Sequence, residues 1–239
     1  DRHQLRVTRN QERKFFMPVR KNLRNIGILA HVDSGKTTIT ENMLFECGRI
    51  RSKGRVDEGT SQTDWMEVEK ERGISVRSAS TVLEWQGVNI NLIDTPGHAD
   101  FFAEVERSLR VIDGAVLVIS AAEGVEAQTE VLWEALKARD IPVLFFINKI
   151  DRKASDISRV LTEIYETLSE EVIPVQVVIN EGSKDPNLID VVTGKQRFNL
   201  KTDSRVELND IEDISKNGIN ANITQEVKTL AEAQLENLV

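Results

Sequence analysis

Asn25-Ile26-Gly27-Ile28-Leu29-Ala30-His31-Val32-Asp33-Ser34-Gly35-Lys36-Thr37-Thr38 decides the fold. Residues 25–30 are a short apolar run that suits a buried strand. Residues 36–48 have helical composition and end on Gly48, a plausible stop. The loop between them has the phosphate-binding pattern, with Ala30 in place of the first glycine. A helix N-terminus there leaves N–H groups free, and its positive dipole end faces an anion. Gly35 lets the backbone wrap phosphate oxygens. Lys36 places a cation on the β- and γ-phosphates. The Thr37 hydroxyl is a hard oxygen ligand of the kind Mg2+ prefers. His31, Val32, Asp33, Ser34 and Thr38 complete the candidate phosphate-side set.

Moving outward, a second motif follows the apolar run NINLI at residues 89–93: Asp94-Thr95-Pro96-Gly97-His98. A carboxylate at the C-terminal end of a strand beside the phosphate loop can hold Mg2+, directly or through water. Gly97 can present its N–H to a γ-phosphate, and His98 can orient a water. An isolated His98 would read as an ordinary surface histidine. A zinc site from His98 and Asp100 lacks a third ligand at metal-site spacing.

The third motif, Asn148-Lys149-Ile150-Asp151, closes the apolar run PVLFFI at residues 142–147. The Asp151 carboxylate, acceptor-only when ionised, matches the N1–H and exocyclic amine of guanine. Adenine has no such donor pair. Asn148 can tie this loop to the phosphate loop, and the Lys149 stem can lie on the base. Each motif is weak alone; three in this order and spacing are strong.

The rest of residues 25–179 keeps the same rhythm. Residues 81–85 and 88–93 read as a hairpin through Gln86-Gly87. Residues 99–111, 126–139 and 157–168 look helical. Residues 114–120 (GAVLVIS), 142–147 and 172–179 read as strands. Continuous apolar strands separated by helices imply a mainly parallel sheet with helices on both faces. The expected class is α/β, with a loop-rich insertion. Residues 50–73 are polar, charged and Gly-punctuated, too long for an ordinary connection and so functional or mobile. Residues 180–222 have little periodicity, and residues 227–239 look helical. The expected division is a basic arm or leader at 1–21, a nucleotide-binding domain at 22–179, and an insertion within it at 180–239.

The 239 residues are 40% hydrophobic and 29% charged, as in a soluble globular protein. No apolar run reaches the ~18–20 residues of a membrane span. One cysteine, Cys47, excludes an intrachain disulfide and points to a reducing, cytoplasmic compartment. Cys47 reads as a small core-facing helix residue rather than a nucleophile. The net charge is −8, yet residues 1–24 carry eight basic side chains against Asp1 and Glu12. That segment reads as a solvated tail or as leader residues before a start at Met17. Contact with a polyanion such as RNA is the alternative.

Residues 22–179 resemble the G domain of the translational GTPases, which implies a phosphate-loop NTPase fold of the small G-protein type. AHVDSGKTT (30–38), DTPGHADF (94–101), EVERSLRVIDGAV (104–116) and NKIDR (148–152) are close to elongation factor G. FFINKIDR (145–152) and ISRVLTEIYETLSEEV (157–172) look more like the tetracycline-resistance ribosomal-protection proteins. DWMEVEKERGIS (64–75) is also similar to release factor 3. The resemblance implies GTP and GDP as ligands, with Mg2+ held by Thr37, Ser75 and Asp94. Residues 52–75 would be switch I, and Asp94 to about Arg107 switch II. His98, Lys36 and Gly97 would serve catalysis, with ribosomal RNA positioning His98. Val32 and Ile74 match a hydrophobic gate around His98, and Asp33 a position that helps hold a monovalent cation. Ser75 stands where the family usually has threonine. The last guanine-binding loop is absent, so the chain reads as the N-terminal part of a multidomain factor. The implied partners are GTP and the ribosome, with no membrane and no DNA, and the expected state is a monomer. The short irregular insertion favours ribosomal protection over translocation of the elongation factor G type. A switch protein with negligible turnover is the reading from another class, and His98 argues against it.

Overall fold

The computed structural model describes residues 22–51, 78–179, 181–183, 186–190, 195–197 and 211–213. Their first sheet runs β2 (Ala79–Trp85), β3 (Val88–Asp94), β1 (Leu23–Ala30), β4 (Gly114–Ser120), β5 (Val143–Asn148) in spatial order. β1 lies parallel to both β3 and β4, and β4 parallel to β5. β2 is the antiparallel edge, because Gln86 and Gly87 both take positive φ in the two-residue hairpin turn.

β1 is central and covered on both faces, hence its unbroken apolar end: Ile28, Leu29 and Ala30 are fully buried. Alternation sends them to opposite sides. Ile28 and Ala30 pack with Leu83, Leu92 and Val118 against Leu44 and Phe45 of α1 (Lys36–Glu46). Leu29 packs with Leu117 against Val105 of α2 (Phe102–Ser108) and Leu132 and Leu136 of α3 (Ala127–Lys137). On that same face Ile119 meets Val160 and Ile164 of α4 (Ile157–Thr167). Each such leucine, taken wholly out of water, contributes about 1.5–3 kcal/mol. Cys47 caps the end of α1 and packs on the first of these clusters. Burial, then the neighbouring Glu46 charge, pushes its thiol pKa up. No helix among the described residues is long and apolar enough to cross a membrane.

Three expectations need correction. The helix expected over 99–111 is a 3-10 turn, Ala99–Phe101, followed by the short α2. The His98 imidazole accepts from the Asp100 N–H and caps that tight turn. The strand expected over 172–179 is only β6 (Gln176–Ile179) and does not join the parallel sheet. Pro174 has no N–H to give a ladder, and Ile173 and Val175 stand exposed. β6 instead opens a second, antiparallel sheet with β7 (Asn187–Asp190), β8 (Lys195–Arg197) and β9 (Ile211–Asp213). The segment read as loop-rich thus carries strands of three or four residues, too short to print a period of two. Residues 1–21, 52–77 and 227–239 lie outside the described residues, and with them the arm, most of the long polar connection, Ile74, Ser75 and the last expected helix.

Candidate functional site

The C-terminal ends of β1, β3 and β5 converge on one edge of the sheet, where ligands gather in open α/β folds. β1 delivers the phosphate loop. Asp33 and Gly35 take φ of 62° and 89°, so the chain turns twice through the left-handed region before α1 begins. Gly35 is needed there for space as well as φ, because an added Cβ would collide with the Asn148 amide. Ser34 is buried, and its hydroxyl donates to the His31 carbonyl at 3.0 Å. Lys36 sits at the first position of α1 and is buried. Thr37 and Val32 are half-buried, and Thr38 is exposed.

β3 delivers Asp94, 4% exposed, and its carboxylate binds the Lys36 ammonium. The pair joins the first two motifs. Removing either partner of this buried pair would leave the other uncompensated. The buried Thr95 hydroxyl donates to the Ile28 carbonyl at 2.8 Å and ties the loop after β3 to β1. Gly97 runs close to the phosphate loop, its Cβ position 3.5 Å from the Ala30 carbonyl. His98 is 43% exposed and stacks obliquely on Phe101 at 6.0 Å.

β5 delivers the third motif. Asn148 Nδ2 donates to the Ser34 carbonyl at 2.8 Å, the tie expected from sequence. Lys149 has φ 59°, and its ammonium reaches Glu123 at 3.4 Å. Asp151 is half-buried. The loop is braced from behind by the Gly182 N–H, which donates to the Ile150 carbonyl at 2.8 Å.

The loop after β4, which carries none of the three motifs, also faces this edge. Gln128 Nε2 donates to the Gly97 carbonyl. The buried Thr129 hydroxyl meets His31 Nδ1 at 3.3 Å. His31 is 2% exposed, and its Nε2 has no partner among the described residues. Burial, the largest cause, pushes its pKa down, while Glu126 and Glu123 pull the other way. Gln128 and Thr129 belong to no recognisable short pattern, and only their place at the start of a helix beside the sheet's ligand edge marked them.

Residues 21–235 match the family described as the elongation factor Tu GTP binding domain. The chain belongs to that family. The phosphate loop, Asp94 loop and Asn148 loop are therefore the parts of a GTP-binding domain. Among similar proteins, tetracycline resistance protein TetP of Clostridium perfringens is 51% identical over 164 residues, 69% of this chain and 25% of its own. Elongation factor G of Mycoplasma genitalium is 46% identical over 178 residues, 74% of this chain and 26% of its own. Tetracycline resistance protein TetO of Campylobacter jejuni is 53% identical over 154 residues, 64% of this chain and 24% of its own. The chain thus spans about a quarter of the length of the curated relatives it matches. A crystal structure from Thermus thermophilus superposes with a TM-score of 0.75 at 29% identity, covering 89% of this chain and 30% of that one.

Proposed function

We propose that this domain hydrolyses GTP as the engine of a ribosome-dependent translation factor that releases tetracycline from the ribosome. The observation that carries the GTP reading is the Asn148–Ser34 hydrogen bond, which holds the guanine-selecting loop against the phosphate loop. Support for the protection reading is the 51% and 53% identity to tetracycline resistance proteins TetP and TetO. The runner-up, a translocation factor, draws on elongation factor G, which matches over more of this chain at 46%.

The donor set suits Mg2+. Asp94 is a buried carboxylate at a strand end and Thr37 a hydroxyl on the first turn of α1, both hard oxygen ligands. Ser75 is the third proposed ligand, and Asp33 the proposed donor to a monovalent cation. When bound, Mg2+ neutralises charge on the phosphates. No three His, Cys, Asp or Glu side chains cluster as metal ligands among the described residues, so one carboxylate with hydroxyls is the set available.

Chemistry by the chain's own groups then follows. Lys36 leaves Asp94 for the β- and γ-phosphate oxygens, where its charge is worth most in the developing transition state. The Gly97 N–H donates to a γ-phosphate oxygen. His98 orients the attacking water in line with the departing group. Asp151 holds the guanine edge and Lys149 covers the base. His98 stands half-exposed, a placement suited to an outside group that fixes its direction, and the ribosome is that group in this reading. Hydrolysis removes the γ-phosphate and with it the differential affinity that any such cycle needs. The reading places the protein in the cytoplasm as a monomer.

In vitro translation inhibited by tetracycline, with and without the full-length factor, tests this. GTP-dependent rescue, lost in Asp94→Ala, supports protection. No rescue, with support of translocation when elongation factor G is omitted, transfers the case to the runner-up.

A further inference from the structure

The Gly97 peptide lies where the reaction needs direction and has the least of its own. Glycine lacks the Cβ that confines φ and ψ. The Ala30 and His31 carbonyls stand 3.5 and 3.6 Å from its Cβ position, a packing contact that limits where the peptide can go without fixing its plane. The Gly97 carbonyl shares a peptide plane with the His98 nitrogen, so the orientation of that carbonyl sets the direction in which His98 leaves the loop. We propose that Gln128 is a positioning residue for GTP hydrolysis: its amide, donating to the Gly97 carbonyl, pins the Gly97–His98 peptide plane and so aims His98. The inference rests on the hydrolysis reading above.

A pin works only if it is itself fixed, and the first turn of α3 is held from two sides. Thr129, fully buried, meets the phosphate loop through His31 Nδ1 at 3.3 Å and also accepts from the Glu126 N–H at 3.4 Å. From the other side α4 grips the loop leading into α3. Arg159 donates to the Ala122 carbonyl at 2.9 Å, and Glu163 accepts from the Val125 N–H at 2.9 Å. Arg159 and Glu163 pair with each other at 2.5 Å, which fixes both grips together. Gln128 therefore projects from a braced helix start onto the one peptide that needs bracing.

The test uses GTP turnover and fluorescent-GTP binding by the full-length factor, with and without ribosomes. Gln128→Glu keeps the shape and removes the donor. It should lower kcat about tenfold and leave KM and nucleotide affinity within about twofold. In a His98→Ala background the same change should do nothing further, because Gln128 acts through His98. A Gln128→Glu variant as active as wild type overturns the proposal, as does a full additional loss in the His98→Ala background or a loss carried by KM. Gln128→Met, of similar length and with neither donor nor charge, should show the same loss at an unchanged melting temperature, which separates the missing hydrogen bond from the charge that Gln128→Glu adds. A wild-type full-length factor that binds GTP but never turns it over, even on ribosomes, defeats the hydrolysis reading instead, so the two failures are distinct.

Discussion

Asn148 donates to the carbonyl of Ser34 across 114 residues of sequence, at 2.8 Å. Ser34 is fully buried, so without this donor its carbonyl loses a partner it cannot replace from water. Asn148→Ala should cost about 1–3 kcal/mol, the range for an orphaned buried acceptor. Melting should shift down by several degrees, and GTP affinity should fall about tenfold as the two loops part. Gly35→Ala should act alike, since its Cβ would displace the Asn148 amide and strain a φ of 89°. Calorimetry and nucleotide titration on both variants check this; an unchanged GTP affinity in Asn148→Ala would show that the tie is not needed for binding.

The placement of the three loops at this edge was legible because each motif sits where an apolar strand ends. β1 and β4 are buried enough to print continuous hydrophobic runs, while the edge strand β5 is as apolar although its Leu144 and Phe146 stand exposed; Gly35, Asp94 and Asn148 mark where the chain leaves β1, β3 and β5. The second sheet was not legible. β8 and β9 have three residues each, fewer than a period of two needs to be seen. Gln128 was missed for a different reason. Its contact is to a backbone carbonyl on another loop, and no pattern of residue types records a partner without a side chain.

In the proposed reading, base selection rests on Asp151. A carboxylate matches the two donors of guanine, whereas an amide at the same place presents a donor of its own. Asp151→Asn should weaken GTP and favour xanthosine nucleotides, whose C2 oxygen replaces the amine. Competition among GTP, XTP and ATP for a fluorescent guanine nucleotide measures it. Equal affinity of the wild type for ATP and GTP would remove Asp151 from the role.

His31 makes stability pH-dependent in a defined direction. Its pKa is pushed below the ordinary value of 6.5, first by burial. The unfolded chain therefore binds more protons than the folded one as pH falls below about 6.5, and stability declines there. Well above that pH both states hold a neutral ring and the contribution is flat. His31→Gln should flatten the fall in melting temperature between about pH 6.5 and 5.5 relative to wild type. Parallel melting curves for the two proteins over that interval would contradict it.

Lys36 and Asp94 should show strong coupling in stability. Both side chains are nearly buried, at 7% and 6% exposed. Removing one charge leaves the other buried and unpaired, at a cost of about 3–5 kcal/mol. Lys36→Met and Asp94→Asn should each lower melting markedly, and the double variant should be far less destabilised than their sum. Denaturant unfolding of the four proteins completes the cycle; additive losses would mean that the ion pair contributes nothing as a pair. GTP binding should be lost in Lys36→Met even where stability is regained in the double variant, because the phosphates have no cation.

In the proposed reading, His98 separates binding from turnover. It touches neither Lys36 nor Asn148 among the hydrogen bonds described, and its ring is 43% exposed. Its structural duty is to accept the Asp100 N–H at 3.3 Å, a long bond on an exposed turn. His98→Ala should therefore leave folding and GTP affinity nearly unchanged. Turnover on ribosomes should fall by about 10²–10⁴, the range for a positioned group that handles a water or proton. His98→Gln, which keeps a hydrogen-bonding side chain of similar reach, should retain part of the rate. The measurement is ribosome-stimulated phosphate release from the full-length factor, at GTP concentrations that saturate both variants. Normal release by His98→Ala would assign the water to another group and would leave Gln128 nothing to aim.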